Sequence, residues 1–162
     1  MDETTINSLL SVGGQEGLLA AADALVRSIN DREVEAVATM LHRSVRLDFL
    51  SSERSLCGRA MIVSHLRRLY CDLDDHGRVA LGAATAVLPF GGHDRYPCAL
   101  LYDGPQRSFA ICPQLMPDTE PGEYDAAIEI LTVVSEPAKL AAAERLDAPG
   151  FPDGLTAPAP LR

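Results

Sequence analysis

Asp48 and His65 are the two side chains whose type and setting can move a proton near neutral pH. Asp48 belongs to "HRSVRLDF", where polar and apolar residues alternate as in a half-buried strand. A carboxylate turned into an apolar hollow has a raised pKa and can act as general acid or base. The same alternation puts Val45, Leu47 and Phe49 on one face, and Arg46 and Asp48 on the other. With the apolar face inward, Arg46 and Asp48 form a solvated pair worth little energetically. An inward Asp48 requires a bulge that rotates it. His65 stands three residues after Ile62 and four before Leu69, beside a helical apolar stripe. Its ordinary pKa near neutrality suits an acid, a base or an orienting donor. Glu129, between Ile128 and the Ile130-Leu131 pair, is a reserve acid. The hydroxyls of Tyr96 and Tyr102 can hold a ligand carbonyl.

Other chemistries find no pattern. There is no glycine-rich phosphate loop, nucleophile elbow or H-E-x-x-H. The four cysteines, Cys57, Cys71, Cys98 and Cys112, form no C-x-x-C, and are expected to be buried thiols acting as small hydrophobes. The four histidines, His42, His65, His76 and His93, form no H-x-H or H-x-x-x-H pair. No metal and no cofactor is expected.

The elements that must position these groups follow from the hydrophobic period. From about Gln15 to Asn30, Leu18, Leu19, Ala22, Leu25, Val26 and Ile29 recur at three and four, an amphipathic helix. Asn30 with Glu33 three residues later reads as the capping box of a second helix, whose stripe is Val34, Val37 and Leu41. The period then switches, and a strand runs from Ser44 to Phe49. Gly58 opens a third helix with the stripe Ile62, Leu66, Leu69 and Leu73. Residues 78–88, 96–102, 107–116 and 124–134 read as four strands joined by short turns, hence antiparallel neighbours. A short helix at 135–146, capped by Ser135 with Pro137 in its first turn, closes the pattern. The class is α+β: helices of the first half cover one face of a curved antiparallel sheet made mainly by the second. Residues 14–146 form one domain, between a loose polar start (1–13) and a proline- and glycine-rich disordered tail (147–162).

Bulk properties narrow the partners. In 162 residues, 47% are apolar, enough for one substantial core. A net charge of −9 and a pI near 4.8 argue against nucleic acid and against anionic membrane surfaces. No run approaches a membrane span, and the start lacks a positive n-region, so a cytoplasmic location is expected.

The stretches "INDREVEAVATMLHRSVRL" and "CGRAMIVSHLRRL" resemble the helix–turn–helix, first strand and Gly-Arg helix opening of the SnoaL-like, nuclear transport factor 2-like superfamily. "YPCALLYDGPQRSFAI" with "YDAAIEILTVVSEPAKLAA" looks like SnoaL-like domains appended to extracytoplasmic-function sigma factors, whose last strand ends in an N-P-x-K-L helix; "SEPAKL" departs by one residue. The likeness covers about residues 15–146. It implies a cone-shaped fold, a pocket and homodimers, in a superfamily that includes ketosteroid isomerases, polyketide cyclases, dehydratases and epoxide hydrolases. Carried over without gaps, the isomerase tyrosine position falls on Leu25, the base on Phe49 and the second acid near Cys112 or Pro113. None of these can serve, and Asp48 is one step away on the other face.

The expected function is therefore binding of a small apolar molecule, polyketide- or steroid-like, without a complete isomerase set. An isomerase, cyclase, dehydratase or epoxide hydrolase using His65 or Asp48 is the alternative, and a protein-interaction or dimerisation module a third. The expected lining is Leu25, Phe49, Ile62, His65, Leu66 and Leu69 from helices and first strand. Tyr96, Cys98, Tyr102 and Phe109 are expected to complete it from the later strands.

Overall fold

The computed structural model describes residues 15–50, 52–75, 81–90, 94–103, 106–120 and 122–146; the ends expected to be loose lie outside these. Helix α1 (Gln15–Asp31) buries Leu18, Leu25, Val26 and Ile29, with Ala21, Ala22 and Ala24 letting its backbone approach the sheet closely. It stops at Arg32, which takes the left-handed conformation at φ 57°, while Glu33 N–H donates to the Ser28 carbonyl at 2.9 Å. That six-to-one bond is how a helix C-terminus commonly closes, with arginine here where glycine is usual. Asn30 is thus not the cap of a second helix. Its amide donates to the Ala83 carbonyl at 3.0 Å and its oxygen accepts from the Ala83 N–H at 2.8 Å, clamping α1 to the sheet. The expected second helix shrinks to one turn, α2 (Glu35–Ala38), which buries only Val37.

Strand β1 (Leu41–Phe49) begins three residues before the polar–apolar alternation does. It pairs antiparallel with β2 (Ser55–Cys57), setting Asp48 opposite Ser55 and Leu47 opposite Leu56. Gly58, at φ 96°, donates its N–H to the Val45 carbonyl and turns the chain into α3 (Arg59–Asp75), a conformation that glycine adopts without steric cost. The long strands follow: β3 (Leu81–Phe90), β4 (Asp94–Asp103), β5 (Gln106–Leu115) and β6 (Ile128–Val134). These four are successive antiparallel neighbours, as the short turns require. Helix α4 (Pro137–Ala142), half the expected length, has Pro137 in its first turn, and Glu136 rather than Ser135 precedes it. A two-residue strand, β7 (Glu144–Arg145), then pairs with β3.

The result is a curled seven-stranded sheet in the order β2-β1-β6-β5-β4-β3-β7, in which β1 and β6 run parallel and the other described pairs antiparallel. Helix α1 packs on β3, β4 and β5, and α3 packs on β1. On that face lies the larger core, including Leu25, Ile29, Leu47, Ile62, Leu66, Leu101, Ile111 and Leu131. A second core occupies the other face: Ala84, Ala86, Leu88, Cys98, Leu100, Tyr102, Ala110, Cys112 and Val134 beneath Leu140 and Ala143. Helix α4 is thus the sheet's cover on the side away from α1.

Candidate functional site

Helix α3 brings Ile62, Leu66 and His65 to the end of β1. Ile62 and Leu66 are fully buried with Leu25, and Phe49, Leu69 and Phe109 pack half-buried against them. The His65 ring meets the Phe49 ring edge-on, centroids 6.0 Å apart at 81°. One helical turn earlier on α3, Met61 is 56% exposed, and Leu50, the residue after Phe49, is 50% exposed. Two large exposed apolar side chains beside a half-buried aromatic and histidine make this the greasy rim of the larger core. Sequence patterning missed both, although Met61 lies four before His65 and so on its helical face.

Burial pushes the His65 pKa below its ordinary value, and the positive charges of Arg68 and Arg54 push it the same way. At pH 7 the ring is neutral, with one donor and one acceptor nitrogen. Asp48 is spent elsewhere. Arg46 Nε donates to both its carboxylate oxygens at 2.8 and 3.0 Å, and Ser55 Oγ donates at 2.8 Å. Val45 and Leu47 are buried while Arg46 is exposed, so Asp48 stands on the opposite side of β1 from Leu47. His65 and Asp48 therefore form no dyad.

The expected lining divides between the two sides of the sheet. Leu25, Phe49, Ile62, His65, Leu66, Leu69 and Phe109 gather on the α1 and α3 side. Tyr96, Cys98 and Tyr102 do not join them; they belong to the core under α4. Their common face was legible from alternation, but its direction was not. In β4 both alternating sets, Ala99 with Leu101 and Cys98 with Leu100, are apolar and buried, so the pattern alone does not say which set meets the helices. The Tyr96 hydroxyl donates to the Pro113 carbonyl at 2.8 Å, and burial lifts its pKa beyond the usual phenol range. Glu129 is half-buried on β6.

Other buried polar groups on the α1 side are structural ties. Ser28 and Tyr70 hydroxyls share a hydrogen bond of 2.6 Å between α1 and α3, and Thr85 Oγ1 on β3 donates to Asp23 on α1. The Tyr124 hydroxyl is buried with no hydrogen-bond partner among the described residues, its ring lying against Gly17 of α1. Of the cysteines, Cys98 and Cys112 are buried as expected, but Cys57 and Cys71 are exposed, because β2 is an edge strand and Cys71 lies off the buried stripe of α3. Among the described residues, no three His, Cys, Asp or Glu side chains gather to hold a metal, and no helix is long and apolar enough to cross a membrane.

No family model and no curated protein sequence matches the chain. Solved structures do resemble it. A SnoaL-like protein of unknown function from Burkholderia thailandensis superimposes with TM-score 0.54 at 9% identity, covering 75% of this chain and 97% of that one. A candidate ketosteroid isomerase from Kribbella flavida gives TM-score 0.50 at 16% identity, covering 83% of each. At such identities the likeness speaks to backbone alone. Three-layer order, sheet topology and these superpositions agree: the chain has the SnoaL-like α+β fold.

Proposed function

We propose that this protein binds a small apolar molecule, of polyketide- or steroid-like character, at the rim formed by Phe49, His65 and Leu69, in the cytoplasm. The observation that carries this reading is that Asp48, the carboxylate beside the carried-over base position, is held by Arg46 and Ser55 away from the core. Carried over from the resemblance without gaps, the corresponding isomerase positions fall on Leu25, Phe49 and near Cys112 or Pro113, and Asp48 stands on the far side of β1. What is left beside the core is apolar surface with a neutral imidazole, the mixture that orients an uncharged ligand by one hydrogen bond. A second reading, catalysis by His65 as a general base, has the neutral ring in its favour.

Native mass spectrometry of the purified full chain, followed by thermal-shift screening of apolar carbonyl compounds, tests the proposal. Binding alone predicts that Asp48→Ala leaves the ligand-induced rise in Tm unchanged, while Phe49→Ala removes most of it. Turnover of a bound compound that disappears in Asp48→Ala, with the fold intact by circular dichroism, would sink it. Turnover that disappears only in His65→Ala favours the second reading.

A further inference from the structure

We propose that Cys98 and Cys112 are a cross-strand dithiol that a small-molecule disulfide closes into an intramolecular disulfide, with α4 as the cover that controls access.

The register places the two side by side. Ala99 faces Ile111 and Leu100 faces Ala110 between β4 and β5; continuing that register by one step sets Cys98 opposite Cys112. Residues directly opposite in an antiparallel pair have Cα atoms about 4.5–5.5 Å apart. Disulfides need roughly 4.4–6.8 Å, so the bridge asks for no strand to move. Both side chains are buried in the same cluster, and the neighbouring Cys98 thiol, with burial, pushes the Cys112 thiol well above its ordinary pKa. They are the only two of the chain's four cysteines so buried; Cys57 and Cys71 are exposed, on β2 and α3.

The cover is thin. Helix α4 is six residues long and seats Leu140 on the same cluster, with Lys139 close enough for its charge to reach Cys112. Its C-terminal carbonyls, those of Leu140, Ala141 and Ala143, accept hydrogen bonds from Arg107 on β5 at 2.6, 3.3 and 2.7 Å. A helix of six residues held by the Leu140 seat, one arginine and the two-residue β7 is a small unit that opens without global unfolding. When it lifts, one cysteine thiolate attacks the reagent disulfide and releases one reagent thiol. The second cysteine sulfur then displaces the other reagent sulfur and the Cys98–Cys112 bond forms. Two protein thiols are oxidised, one reagent disulfide is reduced to two thiols, and the two protein protons leave on those thiols.

The full chain carrying Cys57→Ser and Cys71→Ser, exposed to oxidised glutathione and then unfolded with N-ethylmaleimide, reads the outcome. The proposal expects a monomer 2 Da lighter with no maleimide added, a Cys98–Cys112 cross-linked peptide on digestion, and full recovery of two maleimide sites after dithiothreitol. Two maleimides on the oxidant-treated chain, a persistent single glutathione adduct, or a covalent dimer would each overturn it. For the cover, Leu140→Ala in that background should close the bridge roughly tenfold faster or more, since truncating a buried leucine weakens its seat. An unchanged rate in a folded Leu140→Ala variant overturns the role of α4.

Discussion

His65 and the Ser28–Tyr70 pair show how single groups are committed by their surroundings. Burial and two neighbouring arginines depress the His65 pKa, so the folded chain binds its proton less readily than the unfolded chain does. Stability from this group is fully present above the unfolded value near 6.5 and is lost as pH falls through the lower folded value. Thermal melts of the wild type should therefore lose Tm from about pH 6.5 downward. His65→Gln should flatten that slope, while unfolding at pH 8 changes little. The Ser28–Tyr70 hydrogen bond calls for a double-mutant cycle. Ser28→Ala leaves a buried phenol without its partner and should cost about 1–3 kcal/mol. Tyr70→Phe in that background should add little, because the orphan is gone. Additive losses in urea unfolding would show that the two hydroxyls do not depend on each other. None of this was legible in the sequence, since a serine on α1 and a tyrosine on α3 are 42 residues apart.

Among the elements, α1 was readable and its end was not. Leu18, Leu25, Val26 and Ile29 recur at helical spacing and are buried as that spacing demands. Asn30 with Glu33 mimics a capping box, yet the amide is taken by the Ala83 backbone across the sheet. A local signal was overridden by a partner 53 residues away that satisfies both a donor and an acceptor. Asn30→Ala should accordingly lower unfolding free energy by about 2 kcal/mol, two side chain–backbone bonds on half-buried groups. Asn30→Asp, which keeps only the acceptor, should fall between. If instead Asn30→Ala proves neutral in chemical denaturation, the clamp contributes nothing. The short α2 has the same lesson: β-branched Val34 and Val37 fit a helical stripe, but β1 pairing with β6 claims the chain from Leu41 onward.

For the whole molecule, the outer face of the sheet is the deciding surface. A bare apolar sheet face is an invitation to a second copy of the chain. Here α4 seats Leu140 and Ala143 on that face and β7 pairs with the edge of β3. Replacing Leu140 by Asp puts a charge into that core, and the full chain should lose at least about 3 kcal/mol of stability. It should also bind a hydrophobic dye and sediment as larger species at high concentration. A variant that sediments as the wild type does and is dye-silent would mean that α4 covers nothing that another chain wants.

By itself the sequence determined the class and most of the order of this protein. Period-3.6 stripes, period-2 alternation and turn residues are local, and each segment carries its own. It also determined that Asp48 shares a face with Arg46 and not with Leu47. Only tertiary structure decided which side of the sheet the helices take, that Tyr96, Cys98 and Tyr102 lie beneath α4, and that Cys98 and Cys112 share one buried cluster. The reason is physical: a strand apolar on both faces is symmetric in pattern, and the symmetry is broken only by what packs against each side.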